Sequence, residues 1–305
     1  MQHNASSTKT SRSRRACTIV ELMFSLMMAL LLMAVCLPNL LHSREIARRT
    51  QCATNLTEIG AALWGYHSVH SRFPLQFNAN ADIYPHLSSA PPITKRGFKN
   101  NLIIGEGPSP RVLRCPTDPD TYVVDTALSY CWNTGPGLSR RLDQQSGGFM
   151  SDVALSPTDI VDGASYTAAA SETRMLDWDP DRIRRKAWRV DQFYPNSKDW
   201  HRLRDDCLNV PQDKQHFSSG QERGTKWNDD LTYDHTLPPN RPSCESSGEI
   251  NGTNTTFEIW TANSEHPGGV YLLLVDGSVR FISDTIDADL WSALSTRAGS
   301  EKIEW

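Results

Sequence analysis

The sequence predicts an α+β protein in which one long N-terminal helix lies against an antiparallel β-sheet carrying long loop insertions. Three observations predict it. About twenty apolar residues run from Cys17 to Leu37, and roughly 20 helical residues at ~1.5 Å each span a ~30 Å hydrocarbon layer. Beyond Pro38 the apolar pattern continues as an amphipathic one, with Leu56, Ile59, Leu63 and Tyr66 at steps of three and four between Arg48, Arg49, Thr57 and Glu58. Near the other end, VYLLLV and SVRFI flank Asp276-Gly277, a short-range hairpin signal.

Taken in order, residues 1–16 form a polar, basic leader, 17–41 a transmembrane helix and 42–72 its amphipathic continuation. Residues 73–305 form an extracytoplasmic β-rich domain. Phe73-Pro74 stops the helical pattern, and the Pro-, Ser-, Asn- and Gly-rich stretch to about residue 110 reads as loop with short strands. Thr121–Val124 and Leu128–Trp132 read as short strands, and Ser165–Glu172 as a buried one. Between them, Ser156-Pro157-Thr158-Asp159-Ile160-Val161-Asp162-Gly163 has the form of a single helical turn, opened by Pro and closed by Gly. From about 173 to 250 charge, Trp, Pro and Asn are dense and periodicity is weak, which predicts surface loops. The hairpin Val270–Ile282 follows, with a two-residue Asp276-Gly277 turn. A short helix capped by Asp287 then buries Leu290, Trp291 and Leu294, and the tail after Arg297 frays.

Composition narrows the function classes. The chain has 305 residues and a formal net charge of −4, with a pI near 6.1, which argues against nucleic acid as the main partner. A mean hydropathy of −0.48 despite the apolar run makes the remainder distinctly polar. Lys9, Arg12, Arg14 and Arg15 precede the span, favouring a cytoplasmic N-terminus. The bulk then lies outside the cytoplasmic (inner) membrane, where disulfides persist. Cys17 and Cys36 belong to the apolar run, leaving five cysteines. Two bridges and one free thiol suit that number, and the sequence leaves their connectivity open. The pairing expected is Cys52 with Cys115, tying helix to domain, and Cys207 with Cys244, with Cys131 a buried thiol.

The stretch RRACTIVELMFSLMMALLLMAVCLPN resembles the N-terminus of type IV prepilins and type II secretion pseudopilins. On that resemblance cleavage falls between Ala16 and Cys17, the new N-terminus is methylated, and Glu21 is the fifth mature residue, meeting the free amine of a neighbouring subunit. Ala16 stands where Gly is usual and Cys17 where Phe is usual, while Pro38 falls where such helices bend. His266-Pro267-Gly268-Gly269 followed by Asp276-Gly277-Ser278-Val279-Arg280-Phe281 is similar to a bacterial prepilin-like family of the DUF1559 type. The motif of that family is a His, nine residues and Asp-Gly, matched here by His266, Asp276 and Gly277. RCPTDP at 114–119 and SPTDIVDGASYTAAASE at 156–172 agree with it. The resemblance implies a pilin-like fold, with a prepilin peptidase/methylase and other pilin-like subunits as partners.

No residue set points to catalysis. There is no G-x-S-x-G and no H-E-x-x-H. His266 with Asp276 offers an acid–base pair, but the imidazole reads as a sheet-edge residue bonding across the turn, and His235 as a loop-ordering one. Asp177-x-Asp179-x-Asp181 imitates the start of a calcium loop. Arg182 stands where that loop requires Gly, and Arg184, Arg185 and Lys186 repel a cation, so no metal and no cofactor is assigned. Trp178, Trp188, Trp200 and Trp227 are candidates for stacking on sugar rings, though core or loop-pinning use is the simpler reading. The expected function is therefore a non-catalytic, membrane-anchored prepilin- or pseudopilin-like subunit of a type II secretion or type IV pilus-like apparatus. The alternative is a tethered binding module for a surface glycan or protein, with the helix serving only as anchor.

Overall fold

A computed structural model describes residues 18–75, 79–88, 96–99, 102–105, 110–118, 128–137, 149, 153–174, 187–194, 199–210, 232–250 and 252–300, without the side chains of 35–42, 81, 96–99, 102–105, 187, 189, 250, 255, 257 and 258. The chain divides into two compact units, residues 1–46 and 47–305. Helix α1 (Ile19–His70) belongs to both, and its backbone continues through Pro38.

In the first unit, Thr18 and Glu21 close the start of α1 upon each other. The Thr18 backbone N–H and hydroxyl donate to Glu21 Oε2 at 3.0 and 3.1 Å, and the Glu21 N–H donates to Thr18 Oγ1 at 3.3 Å. This is a capping box, which satisfies donors that the first turn leaves without partners. Ile19, Val20, Met23, Phe24, Leu30 and Leu32 are all more than half exposed, and they are distributed around the helix. Among the described residues no helix is long and apolar enough to cross a membrane.

In the second unit, α1 becomes one-sided. Cys52, Leu56, Ile59, Ala62 and Leu63 enter the main core, while Tyr66 is only half-buried. The partly buried Trp64 packs on that core and donates its indole N–H to the Val275 carbonyl at 2.8 Å. Helix α2 (Ala79–Ile83) and the two-stranded ribbon of β1 (Arg96–Lys99) and β2 (Leu102–Gly105) follow.

The principal sheet is five-stranded, in the order β10-β9-β4-β3-β6. Its strands are β3 (Tyr130–Asn133), β4 (Ala168–Glu172), β6 (Thr232–Tyr233), β9 (Gly269–Leu274) and β10 (Val279–Ser283). The expected antiparallel sheet is corrected to a mixed one, because β3 and β6 run parallel. Their connection is nearly a hundred residues long, so no hairpin forces antiparallel pairing. β4 is buried at every position and carries three alanines, whose small side chains suit a central strand flanked by β9 and β3. The strand expected at Thr121–Val124 lies outside the described residues.

Residues 173–250, expected to be surface loops, also contribute regular structure. β5 (Ala187–Val190) pairs in parallel with β7 (Ser243–Ile250), which pairs antiparallel with β8 (Thr253–Ile259). Together with helix α3 (Trp200–Leu208) they hold a second small core of Val190, Tyr194, Leu203, Cys207, Leu237, Cys244 and Ile259. The weak periodicity concealed it, because β7 is made largely of Ser and Glu. One signal was present: Asn251-Gly252 connects β7 to β8, Ile250 pairs with Thr253, and Gly252 has φ 76°.

The β9–β10 hairpin differs from its expected form. The Leu274 N–H donates to the Ser278 carbonyl at 2.8 Å and the Gly277 N–H to the Leu274 carbonyl at 2.9 Å. The loop therefore has three residues, Val275 to Gly277, and Gly277 alone takes positive φ, at 89°. Asp276 instead accepts from the Ser278 N–H and hydroxyl at 2.8 and 2.6 Å. Burial pushes its carboxyl up, but these bonds and that of Ser165 outweigh burial and hold it below the usual range. A Cβ on Gly277 would meet nothing within 4 Å, so its cost is purely conformational. Gly277→Ala is expected to lower unfolding free energy by about 1–2 kcal/mol, read as a shift in urea midpoint. An unchanged midpoint would refute this account of the glycine.

Helix α4 (Ala288–Ala293) is capped by Asp287, whose carboxylate accepts from the Asp289 and Leu290 N–H groups. Trp291 and Leu294 are buried and Leu290 half-buried. The expected fraying after Arg297 is corrected at its start. The Gly299 and Ser300 N–H groups donate to the Asp162 carboxylate at 2.7 and 2.8 Å, so the chain is held there by the turn that follows Pro157–Asp159.

Candidate functional site

Four chemically capable side chains from distant parts of the chain converge at the Glu172 end of β4. Cys52 comes from α1, Cys115 follows the single helical turn Arg111–Leu113, Glu172 ends β4, and His266 precedes β9. All four are buried, His266 completely. Cys52 and Cys115 form a disulfide, and a second joins Cys207 to Cys244. Cys131 is a buried free thiol. Burial pushes that thiol well up from its ordinary value, which makes it a poor nucleophile.

Backbone contacts hold this cluster in shape. The Tyr271 N–H donates to Glu172 Oε2 at 2.9 Å, and the Asn263 N–H donates to the Glu172 carbonyl at 3.1 Å. The loop carrying His266 is thereby tied to the end of β4. The His266 N–H donates to Ser264 Oγ at 3.2 Å, and its ring stands edge-on to Tyr271. His266 Nε2 then lies 3.3 Å from Glu172 Oε1, an ion pair when the ring is protonated. The Cys115 sulfur, which carries no proton in the disulfide, sits 3.6 Å from His266 Nε2 and 3.7 Å from Glu172 Oε1. One donor atom from each of the four residues lies within 4.8 Å of the others.

His266 is therefore not brought to Asp276. The six residues of β9 separate them, a span of roughly 20 Å, and Asp276 serves the hairpin loop. The partner of His266 is Glu172, which sequence reasoning passed over. The available signal was a charged residue closing a strand otherwise made of Ala and Ser, AAASE.

His235 occupies a second buried position. Its Nδ1 lies 2.7 Å from the Trp291 carbonyl and its Nε2 2.8 Å from the Tyr233 hydroxyl. A carbonyl only accepts, so Nδ1 carries the proton and Nε2 accepts from Tyr233. Asp234 beside it accepts from the Trp260 N–H at 2.6 Å and the Thr236 N–H at 3.0 Å. Both residues order the segment that follows β6.

Of the remaining candidates, Glu21 caps α1. Ala16, Cys17, Asp177, Asp179, Asp181, Trp178 and Trp227 lie outside the described residues, as does the Pro38 side chain. Trp188 and Trp200 are half-buried. Trp200 packs on the second core and stacks on His201, with the Arg204 guanidinium 5.8 Å from its ring centre.

These features define a class: a mixed α+β domain built on a long N-terminal helix, with a buried His–Glu pair set against a disulfide. The chain belongs to the family described as protein of unknown function (DUF1559), SBP_bac_10, whose model matches residues 42–289. No curated protein and no solved structure matches it.

Proposed function

We propose that this protein is a membrane-anchored, pilin-like structural subunit, placed in the cytoplasmic membrane with its C-terminal domain outside and acting without catalysis in a secretion or pilus-like apparatus. The observation carrying this reading is the change of character along α1. Apart from the Glu21 cap and Ser25, its first turns present exposed apolar side chains, a surface suited to lipid or to neighbouring helices, whereas from Cys52 onward the same helix serves a soluble core on one side. A helix of that kind is both anchor and spine. Prepilin peptidase would remove the leader between Ala16 and Cys17, and Glu21 would then pair with the amine of an adjacent subunit, offsetting the cost of a carboxylate in an apolar layer.

The capping box provides a sharp test. Glu21→Gln keeps an acceptor for the Thr18 donors and removes only the charge. If subunit pairing needs the carboxylate, both Glu21→Gln and Glu21→Ala leave the assembled fraction while remaining membrane-bound. Glu21→Gln assembling normally would reduce this carboxylate to a helix cap. Intact-mass measurement of native protein gives a separate check, with a mature chain expected to begin at Cys17. An uncleaved leader would overturn the processing step.

A further inference from the structure

We infer that Cys52, Cys115, Glu172 and His266 form a site for one soft divalent cation, of the Zn2+ class, whenever the Cys52–Cys115 disulfide is reduced. A tetrahedral Zn2+ with bonds of ~2.3 Å to sulfur and ~2.0–2.2 Å to nitrogen and oxygen has ligand-to-ligand edges of roughly 3.3–3.8 Å. Three edges already stand at that length: 3.3 Å from His266 Nε2 to Glu172 Oε1, 3.6 Å from the Cys115 sulfur to His266 Nε2, and 3.7 Å from that sulfur to Glu172 Oε1. The fourth donor, the Cys52 sulfur, lies within 4.8 Å of the others. Parting the two sulfurs from bonding distance to an edge of ~3.8 Å is the main rearrangement needed.

The donor set is chemically apt. Two thiolates, one imidazole and one carboxylate complete a closed four-ligand site of the structural kind, and thiolates favour Zn2+ over harder ions. The Tyr271 N–H already holds Glu172 Oε2, leaving Oε1 to face the sulfurs, as outer-shell bonds do for ligating carboxylates. Burial of all four residues keeps water from completing the coordination.

The site and the disulfide are alternatives. With both cysteines as thiols, binding Zn2+ releases their two protons to solvent. A disulfide-bearing oxidant later accepts two electrons from the two thiolates, a Cys52–Cys115 bond forms as the bond of the oxidant breaks into two thiols with two protons from solvent, and the cation departs. The cation thus holds α1 to the sheet before oxidation, and the covalent bond holds it afterwards. This inference stands independently of the assembly role.

The test uses the full chain in detergent, isolated once as the thiol form with zinc supplied and once after oxidation, with metal content measured by mass spectrometry. The thiol form is expected to carry one zinc ion per chain and the disulfide form to carry none. Cobalt in place of zinc should give tetrahedral visible bands and a thiolate-to-cobalt charge-transfer band. His266→Ala and Glu172→Ala should each weaken binding by at least the ~10–100-fold that loss of an outer-shell partner costs. His266→Cys should restore binding, and Cys207→Ser should leave it unchanged. Should the thiol form be unfolded without metal, zinc must restore its circular dichroism, since site formation then drives folding. A thiol form that binds no zinc, one that zinc fails to refold, or binding unaffected by His266→Ala would each overturn the assignment.

Discussion

Acidification from about pH 7 to about pH 4 is expected to lower the stability of the unit of residues 47–305 through His235 alone by about 3 kcal/mol. The imidazole is completely buried, and burial depresses it from its ordinary value to about 3, only partly opposed by its bond to the Trp291 carbonyl. Its neighbours reinforce the neutral form. Nδ1–H is engaged by that carbonyl, and Nε2 accepts from the Tyr233 hydroxyl, which burial keeps protonated. In the unfolded chain the same ring titrates near ~6.5. Between ~6.5 and about 3 the unfolded state therefore holds one more proton than the folded state, and stability falls with falling pH by about 1.4 kcal/mol per unit. Above ~6.5 both states are neutral and this contribution is complete. Urea midpoints across that range should show the slope in the parent protein, and His235→Gln should remove this component of it. Parallel slopes in the two proteins would mean that His235 takes its proton without unfolding.

Trp291→Ala should be the most damaging single truncation of the core, at about 3–5 kcal/mol. The residue is fully buried in α4, its ring stacks on His235 with centroids 3.8 Å apart and planes 20° apart, and Tyr233 lies beside both. Truncation removes the apolar contact and leaves a void against an imidazole whose neutral tautomer depends on the Trp291 carbonyl. For a unit of this size the loss corresponds to a fall in Tm of roughly 10 °C. Trp291→Phe, which keeps an aromatic face for stacking, should recover a substantial part of it. Thermal unfolding followed by circular dichroism decides the matter, and a Tm within a degree or two of the parent would show that α4 is not part of the cooperative unit.

The contrast between what could and could not be read from the chain is one of distance along it. The amphipathic run from Leu56 to Leu63, the Asp287 cap and the hairpin around Asp276-Gly277 rest on neighbours a few residues apart, so their spacing carries the information. Even there the hairpin loop has three residues, because Asp276 prefers to bind Ser278 over adopting positive φ. The second core was concealed in β7, where Ser and Glu replace the apolar alternation that marks an ordinary strand.

Residue order alone settled the helical spine, the hairpin and the α+β class, since 3.6-residue and two-residue periodicities and turn chemistry are local properties. Tertiary packing decided the parallel pairing of β3 with β6 and of β5 with β7, and it assigned Glu172, not Asp276, to His266. Glu172 and His266 are separated by more than ninety residues, and nothing near either names the other. Only burial in one interior, where each polar atom must find a partner, brings them and the Cys52–Cys115 sulfurs together.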